Sequence, residues 1–135
     1  MSKILAACIF LASQSHALPP AALLGILNVE NGRPGLVSQN TNDTQDLGPM
    51  QINTVWVPEV ARRNNLSEKQ AYKQLRSDIC FNVDTAAWIL KSHLEETQNL
   101  KQAIAQYHSR TPEIGKAYKK RVLAKLENYG LVSGH

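Results

Sequence analysis

Residues 19–30, PPAALLGILNVE, constrain the chain more than any other stretch, because they join a strong helix pattern to a misplaced carboxylate. Pro19 and Pro20 stand at the helix entry, where a missing N–H costs nothing. Leu23, Leu27 and Glu30 then fall at i, i+4 and i+7, with Leu24 and Ile26 beside them. One helical face therefore runs apolar for two turns and ends on an acid. Asn31-Gly32 follows as the stop signal. Two readings of Glu30 are open on these grounds. It is a helix-end residue whose carboxylate reaches back to water, or an acid raised by burial toward the range a general acid needs near neutral pH.

The next segment bears on that choice. A polar loop punctuated by glycine runs from Gly32 to Asp46, with Asn31, Asn40 and Asn42 in or beside it, and leads into Asp46-Leu47-Gly48-Pro49-Met50-Gln51-Ile52-Asn53. Amides, hydroxyls and exposed backbone are the groups that hydrogen-bond the hydroxyl and N-acetyl groups of a sugar. The same residues also serve ordinary turns, so composition alone leaves both uses open.

Taken together, Glu30, Asn40-Thr41-Asn42 and the Asp46–Asn53 motif resemble the signature of the lytic transglycosylases. They are most similar to the small enzymes attached to type IV secretion, conjugation and pilus systems, which share the goose-lysozyme-like fold of the soluble lytic transglycosylases. In that family a glutamate ends a helix, a Gly-Leu-Met-Gln-like motif lines the cleft, and a later Tyr-Asn or Tyr-His pair faces the glutamate. Tyr107-His108-Ser109, preceded by Ala103-Ile104-Ala105-Gln106, matches the last of these, and the likeness extends through Trp56 and the Cys80 to Leu90 stretch. Pro49 stands where leucine is commoner, and Asn31-Gly32 where Glu-Ser is usual; neither removes a reactive group.

The resemblance implies a peptidoglycan lytic transglycosylase that needs no metal or cofactor. Glu30 would act as acid and then base on the bond between N-acetylmuramic acid and N-acetylglucosamine, forming a 1,6-anhydro ring. Tyr107 would orient Glu30. Ser38, Asn40, Met50 and Gln51 would line the sugar subsites, with backbone at Gly48 approaching the glycan. One placed carboxylate suffices when the substrate assists; a muramidase would want a second, for which Asp43 and Asp46 are the candidates. Asp46, beside Gly48, is expected instead to be a turn former.

At 135 residues the chain suits one domain with a modest core. Met1 to Ala17 fits a secretory signal peptide: Lys3 for the basic start, Ile4 to Ala12 for the apolar run, and Ser15-His16-Ala17 for the cleavage site. That gives a leader over 1–17, a lysozyme-like domain over 18–135, and a periplasmic location. Removal of the leader would take Cys8 with it and leave Cys80 as an unpaired core thiol with no metal-ligand spacing.

The rest reads as helix. Thr54 to Arg63 is a short helix with Pro58 near its first turn, and Trp56 within it is a core or cleft-wall aromatic, core being favoured. Ser67 and Gln70 make a capping box for a helix to about Arg76. A longer helix spans about Asp78 to Glu96 with Val83, Ala87, Leu90 and Leu94 as its buried stripe. Leu100, Ala103, Ile104 and Tyr107 form the inner face of another, and Pro112 to Tyr129 forms the last, coated by Lys116, Lys119, Lys120 and Lys125. The architecture expected is mainly α, of the α+β lysozyme type, with a small hairpin around residues 37–52 at a glycan cleft. The partners expected are peptidoglycan strands and secretion or conjugation proteins, with the chain monomeric. A non-catalytic peptidoglycan-binding assembly factor is the other secreted role. The net charge of +4 suits an anionic polymer, but without an arginine-rich recognition helix it does not indicate nucleic acid.

Overall fold

The computed structural model describes residues 1–108. Helix α1 spans Lys3–Ser15 and α2 spans Pro20–Glu30. Three short strands follow: β1 Val37–Gln39, β2 Gln45–Leu47 and β3 Ile52–Asn53. After a 3-10 turn at Thr54–Trp56 come α3 Val57–Asn64, α4 Glu68–Ser77, α5 Ile79–Thr97 and α6 Leu100–His108. The fold is mainly helical with one small sheet, the lysozyme-like α+β architecture expected. The expected helix over residues 112–129 lies outside the described residues.

Local chemistry sets the boundaries. Pro20 opens α2, and Asn31 closes it in the left-handed region at φ 52°, where asparagine is tolerated. Ser67 and Gln70 form the reciprocal capping box of α4. Asp78 caps α5 by accepting from the Phe81 N–H at 2.9 Å.

The core is built around α5, which packs against α1, α4 and α6. Its Val83, Ala86, Ala87, Ile89 and Leu90 meet Leu23 and Ile26 of α2, Leu47 and Ile52 of the sheet, and Ile104 of α6 within one buried cluster. Trp56 is half-buried against that cluster and meets Trp88 edge-on, with ring centroids 5.9 Å apart.

The antiparallel sheet has the order β1-β2-β3. Alternation gives it two unlike faces. Val37, Leu47 and Ile52 pack on the core, while Ser38, Asp46 and Asn53, paired across the strands in one row, are half-buried on the other side.

Residues 3–15 pack as a helix of the domain. Cys8, Ile9 and Ala12 of α1 are buried in the common core, and His16 at its end meets Asp84 of α5 at 2.8 Å. Cys8 forms a disulfide with Cys80. In the uncut chain Cys80 is therefore paired, and it is not the core residue expected. Cys80 lies exposed in the first turn of α5, and its bond to the buried Cys8 staples α1 to α5. Ile4, Phe10 and Leu11 occupy the outer, exposed side of α1.

Candidate active site

The end of α2 and the β2–β3 turn are pressed together by the absence of a side chain at Gly32. A Cβ there would come within 2.3 Å of the Gly48 carbonyl oxygen and 2.6 Å of that of Pro49. Glu30, two residues earlier, is thereby fixed beside the Gly48–Met50 backbone. Its side chain is half-buried at the last position of α2.

The turn is fastened from the far side by Asn82 of α5. Its Nδ2 donates to the carbonyls of Leu47 and Leu75, at 2.9 and 2.8 Å, and its Oδ1 accepts from the Met50 N–H at 2.9 Å. Asn82 is fully buried, and all three bonds hold main chain. Such a residue fixes one conformation, because any displacement leaves buried polar groups unmatched. Sequence reasoning passed over it. The available signal was an amide one residue from Val83 on the inward side of an apolar helix.

Gly48 is explained by the same clamp. Its φ is +69°, and a Cβ would lie 2.5 Å from Asn82 Nδ2 and 2.6 Å from the Leu75 carbonyl. The glycine is required by packing of the turn against α4 and α5. The expectation for Met50 is corrected. Its side chain is fully buried, so it forms floor under the turn and lines no open subsite. Its thioether fits the core because it is apolar and unbranched.

Tyr107 reaches this turn from α6. Its hydroxyl donates to the Met50 carbonyl at 3.0 Å. Burial pushes the phenol well above its ordinary pKa, and the negative charges of Glu30 and Asp46 push it further. The phenol is therefore neutral throughout the physiological range, and both carboxylates act on it. Tyr107 on α6 thus lies within electrostatic reach of Glu30 on α2.

Gln51 is held in the left-handed region at φ 51°, an uncommon state for a residue with a Cβ. Its Nε2 donates to the Gly48 carbonyl at 2.9 Å, and the residue is half-buried. Backbone strain of this kind collects at functional sites. Ser38 is half-buried at the centre of β1, opposite Asp46. Asn40 belongs to the hairpin tip: its N–H bonds the Thr44 carbonyl at 2.9 Å and its Nδ2 the Thr44 hydroxyl at 3.0 Å.

Asp46 is not a turn former. The hairpin turn falls at residues 40–44, where Asp43 takes the left-handed conformation at φ 65° and is exposed. Asp46 lies in the middle strand, and its Oδ1 accepts from Asn53 Nδ2 at 3.1 Å. Among the described residues no group of three or more His, Cys, Asp or Glu side chains is placed to hold a metal ion.

The clamped turn thus carries the Tyr107 phenol, which is kept protonated and feels both Glu30 and Asp46. No curated protein matches the chain. The transglycosylase SLT domain model matches residues 7–129, from the middle of α1 through the whole sheet and every later described element. The chain belongs to the transglycosylase SLT domain family.

Proposed function

We propose that the protein is a peptidoglycan lytic transglycosylase with Glu30 as its acid and base. Membership of the SLT family makes peptidoglycan the substrate class and glycosyl transfer the reaction class. The observation that supports the finer reading is that Tyr107, bonded to the Met50 carbonyl of the turn, stays protonated within the field of Glu30.

In this reading Glu30 gives its proton to the glycosidic oxygen as the bond from the muramyl anomeric carbon breaks. The N-acetyl carbonyl of the same sugar steadies that carbon, a form of substrate assistance. The muramyl C6 hydroxyl oxygen then bonds to it and returns a proton to Glu30. The products are a 1,6-anhydromuramyl end and an N-acetylglucosamine end with a free hydroxyl. No water is consumed. Tyr107 orients Glu30 by fixing α6 to the turn, and Ser38, Gln51 and the Asn40 loop lie along the glycan.

The same reading places the enzyme outside the cytoplasmic membrane as a monomer, opening the wall for a secretion, conjugation or pilus apparatus. A Cys8–Cys80 disulfide fits an oxidising compartment. The leader pattern over residues 1–17 makes a separable forecast. A chain cut after Ala17 would carry Cys80 as a free thiol, whereas the uncut chain holds the disulfide; intact mass before and after reduction distinguishes them.

The direct test is mass spectrometry of muropeptides released from purified sacculi, with Glu30→Gln as the control. Anhydromuramyl ends that vanish in Glu30→Gln establish the lytic reaction. Reducing muramyl ends would mark a muramidase of the same fold. Binding to sacculi without release would mark an assembly factor.

A further inference from the structure

We infer that Tyr72 of α4 is a positioning residue for the glycan groove. Through a relay of two glutamine amides it holds the tip of the β1–β2 hairpin, and with it the outer end of the groove. The inference rests on the glycan-cleaving reading above and deepens it, by naming what sets the grip on a long strand.

The relay is continuous. The Tyr72 hydroxyl donates to Gln45 Oε1 at 2.6 Å, and Gln45 Nε2 donates to Gln39 Oε1 at 3.0 Å. Gln39 Nε2 then donates to the carbonyls of Thr44 and Asn40, at 3.3 and 3.4 Å. Every link runs in the same direction, from the helix to the hairpin tip, so each group polarises the next. One orientation of the Gln45 amide serves both neighbours, with its oxygen toward Tyr72 and its nitrogen toward Gln39. The last amide spans the two ends of the tip, which the Asn40 N–H closes onto the Thr44 carbonyl at 2.9 Å. The two ends of the relay differ in firmness. Tyr72 is half-buried against the common core, whereas Gln39 is exposed at the end of β1, an edge strand of the sheet.

The β2 side of the hairpin has other supports. Asn53 Nδ2 donates to the Thr44 hydroxyl at 3.0 Å, and the Gln45 N–H donates to the Thr54 hydroxyl at 3.1 Å. The β1 side, at Gln39 and Asn40, is where the relay ends. Gln39 and Gln45 are strand partners, and alternation sets them on the side of Val37 and Leu47, opposite Ser38. The relay therefore touches no sugar laid along Ser38, and acts on the glycan through the main chain of the tip. Since β2 spans Gln45–Leu47, the tip stands about 10 Å from the Gly48 turn, where the end of α2 is packed. A hold so far from the reacting bond is the same in the substrate and the transition state, and such uniform binding is read in KM rather than kcat. A tip left free would have to be ordered each time a strand docks. The relay orders it beforehand.

The test compares the full chain with Tyr72→Phe, Gln39→Ala and the double variant on purified glycan strands graded by length. It reads kcat, KM, the urea midpoint and hydrogen exchange at the Asn40 amide. Tyr72→Phe removes the hydroxyl and leaves the ring in its packing. On long strands KM is expected to rise about fivefold, the effect of a single hydrogen bond of ordinary net strength, with kcat unchanged and the midpoint within about 0.5 M of the parent. On the shortest strands cleaved, which end before the tip, KM stays at the parent value. The Asn40 amide should exchange about fivefold faster, as local opening of the tip requires. Because both residues act through Gln45, the double variant should be no worse than the poorer single one. Additive losses in KM would overturn the inference, as would a loss equal at every strand length or a fall in kcat with KM intact. Unchanged Asn40 exchange in Tyr72→Phe would overturn it without reference to activity, and would leave Glu30 untouched. A parent chain that releases nothing from any strand would instead refute the glycan-cleaving reading, and this inference with it.

Discussion

Replacing Cys80 by serine isolates the Cys8–Cys80 staple, because Cys80 is exposed and its replacement leaves the core composition unchanged. The bond joins residues 72 apart in sequence. On the chain-entropy model, closing a loop of that length in the unfolded state stabilises the fold by about 4.4 kcal/mol. Domains of this size are stable by only about 5–15 kcal/mol, so the bond is a large share. With a urea slope of about 2 kcal/mol per molar, Cys80→Ser should unfold at a midpoint about 2 M lower than the oxidised parent. Reduction of the parent should lower its midpoint by a similar amount, and reduction of Cys80→Ser should change nothing. Equilibrium urea unfolding followed by far-ultraviolet circular dichroism reads all four states. Coincident midpoints for parent and variant would refute the reasoning, because they would mean that α1 is not held to α5 by this bond. Below its own midpoint the variant should still cleave, since neither cysteine belongs to the site.

Two further substitutions probe the construction of the site. Gly32→Ala sets a methyl carbon against the Gly48 and Pro49 carbonyls; it should cost about 1–3 kcal/mol of stability and lower activity further by moving Glu30 off the turn, read by urea midpoint and muropeptide release together. Asn82→Ala strips the Leu47 and Leu75 carbonyls and the Met50 N–H of their buried partner, and should cost about 3 kcal/mol or more; a midpoint within about 0.5 kcal/mol of the parent would remove the clamp from the account.

Where one element alone decided the structure, it could be read in the chain. Proline at the entry, a stripe ending on Glu30 and asparagine at the exit are local signals, and α2 forms between them. The capping box of α4 is equally local. Tyr107 was reached only through the family pattern, since a tyrosine on an inner helix face is ordinarily core. What escaped depends on partners distant in sequence. Asn82 is 32 residues from Met50, and nothing in its own helix announces three main-chain bonds to a loop. The Cys8–Cys80 pair escaped because the short apolar run after Lys3 favours a leader in the sequence, although such a run also suits a core helix. Asp46 was assigned to a turn because it adjoins glycine; strand register, set by where Asn40 and Thr44 close the hairpin, moved the turn upstream and set Asp46 in the middle of the sheet.

The same register explains why the site can keep two acids close to one buried phenol. Glu30 and Asp46 belong to different elements, whose main chains are packed together at Gly32 against Gly48 and Pro49. A contact made by backbone does not loosen when an adjacent side chain changes its charge or rotamer. The cost of holding carboxylates near the phenol falls on Tyr107, whose proton is retained well above its ordinary pKa, and Tyr107 remains a donor to Met50 in consequence. The turn is therefore held by Asn82 from one side and Tyr107 from the other.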